Sequence, residues 1–239
     1  TYSLSDDYRI ISGLRYSEDT FTTDVTNFLN VESFQEEGTT DEITSRVVAE
    51  VDFSEDIMGY FALAKGFKPG GSNLTFGFDD DNAPPMVFPT FEAETVDSVE
   101  LGLKSTFADG AARANIAVFS YSYENLQFQA TDPDIYRGGV ANIPDSEMSG
   151  LEIEFTGFIT DSLSLDMNLA FLDSEVTSDY EVLDNVDAYP YFFGEEDIRY
   201  GLRENVKGNQ LAKTPELTAD ITLKYETNLA SGNSLTTLV

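Results

Sequence analysis

The stretch "SLSLDMNLAFLDSEV", residues 162 to 176, carries the fold decision. Leu163, Leu165, Met167, Leu169 and Phe171 fall on one side of an extended strand, and Ser164, Asp166, Asn168 and Ala170 fall on the other. Period two means that the two faces of a strand meet different media. It does not name the media. In a soluble sandwich the apolar face meets a protein core, and in a membrane barrel it meets lipid while the polar face lines a lumen; both readings are open at this point.

Working outward, the same alternation returns. Residues 8 to 18 set Tyr8, Ile10, Leu14 and Tyr16 against Arg9, Gly13 and Arg15. Residues 44 to 53 set Val47, Ala49, Val51 and Phe53 against Arg46, Glu50 and Asp52. The stretches 94 to 107 and 148 to 159 alternate too, as does the end of 209 to 226 with Ile221, Leu223 and Tyr225. The run 58 to 66 is ambiguous in phase, and 111 to 129 is long and aromatic. With partial strands at "TYSL" and "SLTTLV", about ten strand segments are predicted and no helical period stands out. Apolar runs such as "YFALA" at 60 to 64 fall far short of the roughly 20 residues of a spanning helix.

Connections alternate in length. Tight ones are "SEDI" at 54 to 57, "ADGA" at 108 to 111, "TDS" at 160 to 162 and "NLASGN" at 228 to 233, all built of turn-forming residues. Long ones run through about 20 to 43, 67 to 93, 130 to 147 and 177 to 208. That sorting is what an up-and-down barrel gives when one rim has tight turns and the other has elaborate loops. Several strands reach 12 or more residues and carry Arg9, Arg15, Glu50, Glu152, Glu154 and Asp166 on their polar faces, as tilted strands crossing a bilayer around a lumen would. Tyr8, Tyr16, Tyr60, Tyr121, Tyr123 and Tyr225 are expected to contribute to interfacial girdles.

The chain of 239 residues holds 44 acidic and 13 basic side chains, a formal net charge of −31. A nucleic-acid partner is excluded by repulsion of the phosphate backbone. Cysteine and histidine are both absent, which removes disulfide frameworks, thiol nucleophiles, Ser/His/Asp triads and His-ligated zinc. No catalytic residue, metal site or cofactor is expected. Glu152 and Glu154 share a strand face, but that spacing belongs to a lumen wall before it belongs to a catalytic pair. "DDDN" at 79 to 82 lacks the spacing of a calcium hand loop. The start, "TYSLSDDYRIISG", shows no basic and apolar leader, and it begins inside a strand pattern as a piece of something longer would.

At the level of motifs, "YFALAKGFKPGGSN" at 60 to 73 and "FEAETVDSVELGLKSTFADGAARANIAVFSYSYENLQ" at 91 to 127 closely resemble the barrel of TonB-dependent outer-membrane receptors. "SGLRYSED" at 12 to 19, "NIPDSEMSGLEIEFTGFITDSLSLDMNLAFLDSEV" at 142 to 176 and "GNQLAKTPELTADITLKY" at 208 to 225 add to the likeness in the right order. The resemblance implies an all-β, antiparallel up-and-down transmembrane β-barrel in the outer membrane, this chain giving about ten of 22 strands. The whole of 1 to 239 is then a partial barrel domain, without the plug and the closing strands.

It also implies active uptake of a scarce ligand, most often a ferric siderophore or similar iron chelate. The partners implied are the TonB complex, acting through a missing N-terminal region, and outer-membrane lipid and lipopolysaccharide. Tight turns would face the periplasm and long loops the outside. Ligand contacts are expected from Phe67 and Lys68 at the end of the "GFKPGG" strand, from Tyr136 and Arg137 in one long loop, and from Tyr189, Tyr191, Phe192 and Arg199 in another. Aromatic walls with a few cations suit an organic ligand carrying negative charge. Two alternatives stand beside the receptor: a passive porin-like or structural barrel, and a soluble acidic β-sheet binding module.

Overall fold

The computed structural model describes residues 1–27, 32–73, 90–131, 138–183, 203–229 and 232–238. Within them fourteen strands form and no helix does. Ten make one antiparallel sheet, in the spatial order β1 (Tyr2–Ser3), β2 (Tyr8–Asn27), β3 (Glu32–Ser54), β4 (Ile57–Lys68), β7 (Glu94–Phe107), β8 (Ala112–Thr131), β9 (Gly138–Thr160), β10 (Leu163–Val176), β13 (Leu217–Asn228) and β14 (Ser234–Leu238). Every neighbour pair is antiparallel and consecutive along the chain, apart from two short excursions. These are β5 (Gly71–Ser72) with β6 (Thr90–Phe91), and β11 (Glu181–Leu183) with β12 (Arg203–Asn205). The sheet is open in this chain, with β1 and β14 at its edges.

Register assigns the faces. Arg9 pairs with Glu50, Glu50 with Tyr60, Tyr60 with Gly102, Gly102 with Ala117, Ala117 with Glu152 and Glu152 with Ala170. That polar row defines the inner side. One residue away, Tyr8, Val51, Gly59, Leu103, Ile116, Ile153 and Leu169 form the matching outward row. Leu163, Leu165, Met167, Leu169 and Phe171 therefore point outward, and Ser164, Asp166, Asn168 and Ala170 point inward.

Among the described residues, the outward side has large apolar side chains exposed on strand after strand. Leu14 is 78% exposed, Leu101 58% and Ile221 56%. Large apolar side chains exposed on strand after strand of one side of the sheet require an apolar solvent. The soluble-module alternative fails here, because a soluble sheet of this size would cover its apolar face.

The apolar band does not follow the hydrogen-bonded rows. On β2 it rises from Tyr8 to Tyr16, while on β13 it runs from Leu217 down to Tyr225, toward the tight turns. A level band that crosses the rows obliquely means tilted strands, as barrel closure demands. Tyr8 and Tyr225 mark its lower margin and Tyr16 its upper one. Tyr60, Tyr121 and Tyr123 correct the girdle expectation, since register places them on the inner side.

The tight turns fall where expected, at Glu55–Asp56, residues 108 to 111 and residues 161 to 162. The long connections are shorter than predicted. β2 and β3 pair as far as Asn27 and Glu32, and β8 and β9 as far as Thr131 and Gly138, so much of 20 to 43 and of 130 to 147 is strand. Residues 209 to 216 are not strand. Lys213 adopts a left-handed φ of 65° and Pro215 follows, so β13 starts only at Leu217.

Candidate functional site

The inner wall is organised around Tyr60. Gly102, its partner across β4 and β7, leaves room for the Tyr60 ring to lie on the backbone, where any Cβ would collide with it. The hydroxyl donates to Glu100 at 2.5 Å, and the Lys104 ammonium stands 5.5 Å from the ring centroid. On one side Arg9 donates through Nε to Glu50 at 3.0 Å and through Nη2 to Asp52 at 3.0 Å. On the other, Asn115 donates to Glu154 at 2.9 Å. Up β8 the inner side becomes an aromatic ladder. Phe119 stacks on Tyr121 at 4.8 Å and 23°, and Tyr121 meets Tyr123 edge-on at 6.5 Å.

Above the band, hydrogen bonds from side chains to backbone tie the rim together. Asn73 substitutes for a strand residue: its Nδ2 donates to the Val140 carbonyl at 2.8 Å and its Oδ1 accepts from the Val140 N–H at 2.7 Å. Asn142 accepts from the Glu92 N–H and donates to the carbonyls of Glu92 and Asn125. Gln127 donates to the carbonyls of Pro69 and Glu92. Asn125 holds a left-handed φ of 55°, which its residue type tolerates.

These bonds frame a pocket of about 670 Å³ between the outer end of the β8–β9 hairpin, Asn73 and β11, lined by Phe128, Gln129, Thr131, Val140, Val182 and Leu183 among others. None of the described residues lining it is charged. The Phe128 ring meets Tyr180 edge-on at 5.6 Å beside it. Below β11 and β12, Asp179 accepts from Asn205 at 2.9 Å and from Lys207 at 3.2 Å. Those two bonds, Asn205's first, hold the Asp179 carboxyl below the usual aspartate value.

Of the residues expected to touch ligand, Phe67 and Lys68 end β4 beside Thr95 and Glu94. Strand alternation sends Phe67 outward and Lys68 inward. Tyr136, Arg137, Tyr189, Tyr191, Phe192 and Arg199 lie outside the described residues. The pocket residues carried no sequence signal, because backbone groups from hairpins far apart in the chain build it; the only local hint is Asn73 after the "GG" that ends a strand. Among the described residues no group of acids is placed to hold a metal ion.

Residues 1–236 match the family model described as "TonB dependent receptor-like, beta-barrel". The chain belongs to the TonB-dependent receptors. A probable TonB-dependent siderophore receptor, PiuA of Acinetobacter baumannii, is 31% identical over 120 residues, covering 49% of this chain and 15% of that protein. The pesticin receptor of Yersinia enterocolitica is 28% identical over 191 residues, covering 76% of this chain and 26% of that protein. Among solved structures, the ferric yersiniabactin uptake receptor FyuA from Yersinia pestis superposes with a TM-score of 0.70 at 21% identity, over 98% of this chain and 31% of that one. PiuA from Acinetobacter baumannii gives 0.68 at 19%, over 93% and 29%.

The chain thus spans between about one seventh and one third of the length of these relatives. The TonB-dependent receptor barrel is an outer-membrane structure, which is the apolar solvent that the outward side requires. Its relatives are receptors and transporters rather than enzymes.

Proposed function

We propose that this chain is part of the barrel of an active transporter that takes up a ferric siderophore or similar iron chelate, driven by the TonB complex through a plug in the lumen. The observation that carries the reading is the inner side itself. It is polar and carboxylate-rich low in the wall, aromatic higher up, and it ends at a rim pocket whose described lining is uncharged and whose size suits a small organic ligand. The relatives named for siderophore and ferric yersiniabactin uptake support the same ligand class.

In this reading the chain supplies about ten of 22 strands, and the rest of the protein supplies the closing strands and the plug. Glu100, Glu152 and Glu154 face the lumen as acceptors for cationic groups of that plug. Lys68 from the end of β4, and Tyr136, Arg137, Tyr189, Tyr191, Phe192 and Arg199 from the outer loops, contact the chelate. Phe67 supports the strand end beside them.

Radioiron uptake by cells carrying the full-length receptor, fed a panel of ferric siderophores, tests the proposal. Cells with an intact TonB complex should accumulate at least one chelate, and cells lacking it should bind that chelate without accumulating it. Equal accumulation in both strains would replace active transport with a passive pore.

A further inference from the structure

The outward side is not uniformly filled. Gly59 interrupts the row of Val51 and Leu103, and next to it Ala49 separates Ile10 from Phe61. Two small residues side by side leave a hollow of about 580 Å³, walled by Tyr8, Val51, Phe53, Phe61, Leu103 and Val118. The Phe53 ring leans over Gly59, so that a Cβ there would stand 2.8 Å from it. Water has no place in this part of the band, and an empty apolar hollow forfeits the contacts of its lining. The hollow is continuous with the lipid-facing band, where the surrounding solvent is hydrocarbon.

Charge selects the head of that lipid. The hollow lies toward the tight-turn end of β2, β3 and β4, where exposed Asp6, Asp7, Glu55 and Asp56 cluster along the turns. Backbone bonds hold those turns against the hollow's strands, Asp52 N–H to the Asp7 carbonyl and Thr106 N–H to the Asp56 carbonyl, each at 2.9 Å. The cations of this end, Arg9, Lys104 and Arg113, are all on the inner side by register. An anionic headgroup meets only carboxylates there, whereas an ammonium meets complementary charge.

We propose that this hollow seats one acyl chain of a phospholipid whose ammonium headgroup rests against the carboxylates of the β1–β2 and β3–β4 turns. The inference rests on the barrel and is independent of what the receptor imports.

The test is native mass spectrometry of the full-length receptor, extracted from nanodiscs of equal phosphatidylethanolamine and phosphatidylglycerol. The wild type should retain phosphatidylethanolamine in preference. Ala49→Phe, which fills the hollow from its wall, should cut that retention about tenfold or more, a change of about 1.4 kcal/mol. Leu63→Phe, on the same outward side but outside the hollow, should leave it unchanged and so controls for folding. Combining Asp6→Asn, Asp7→Asn, Glu55→Gln and Asp56→Asn should keep a bound lipid and abolish the headgroup preference. Undiminished retention by Ala49→Phe would overturn the seat, and equal retention of phosphatidylglycerol by the wild type would overturn the headgroup assignment.

Discussion

Single residues in this wall are read correctly only with their cross-strand partners. Tyr60 sits in an apolar run, and nothing in "YFALA" tells which side it takes. Its neighbour Gly102 decides the matter, since only a residue without Cβ lets the ring lie down and bring its hydroxyl to Glu100. The pairing gives a direct expectation. Gly102→Leu must push the Tyr60 ring off the strand, break the bond to Glu100 and leave a carboxylate without its donor. Overpacking of this kind costs about 1–3 kcal/mol. Urea titration of the full-length barrel refolded into vesicles should show it as a lowered midpoint, with Ala117→Leu, in the next position of the same row, as the comparison. Equal midpoints for the two variants would mean that the ring has room to move aside and that Gly102 is not a packing device.

At the scale of elements, alternation was legible wherever a strand separates lipid from lumen and illegible wherever it does not. β7 and β10 end within a residue of where alternation predicts, because each residue faces one medium or the other. Above the band both faces of the β2–β3 ribbon meet water, so hydrogen-bonded pairing persists through "TTDEIT" while the hydrophobic pattern vanishes. Pro144 likewise reads as a loop residue. It is tolerated in β9 because the β8–β9 ladder skips it, passing from Glu124 and Asp145 to Leu126 and Ile143, with Asn125 opposite it in a left-handed φ of 55°. The rim pocket was beyond reach for a related reason, as its walls are backbone from separate hairpins. The two-sided solvent of the spanning part is testable. Val118→Arg puts a cation into lipid and should cost about 2–4 kcal/mol near the bilayer midplane. Ala117→Arg, the adjacent residue on the inner side, should cost much less in the same vesicle titration. Similar costs for both would deny that register separates lipid from lumen.

For the whole molecule the dominant fact is charge. The formal −31 is not confined to loops. Glu50, Glu100, Glu152, Glu154 and Asp166 line the inner side, and just above the apolar band Asp97, Glu147, Asp173 and Glu175 face outward by register. Such a field acts on a ligand long before contact, and its reach depends on salt, from about 30 Å at about 0.01 M to about 8 Å at about 0.15 M. A chelate of net positive charge should therefore associate with the full-length receptor about tenfold more slowly at the higher salt, and one of net negative charge should associate faster there. Stopped-flow association of one cationic and one anionic ferric chelate across that range separates two roles for the acids. Opposite salt slopes mean that the field sorts ligands by charge at the barrel mouth. Flat profiles for both would leave the carboxylates to solvation and to contacts within the lumen, and the uncharged rim pocket would then discriminate by shape alone.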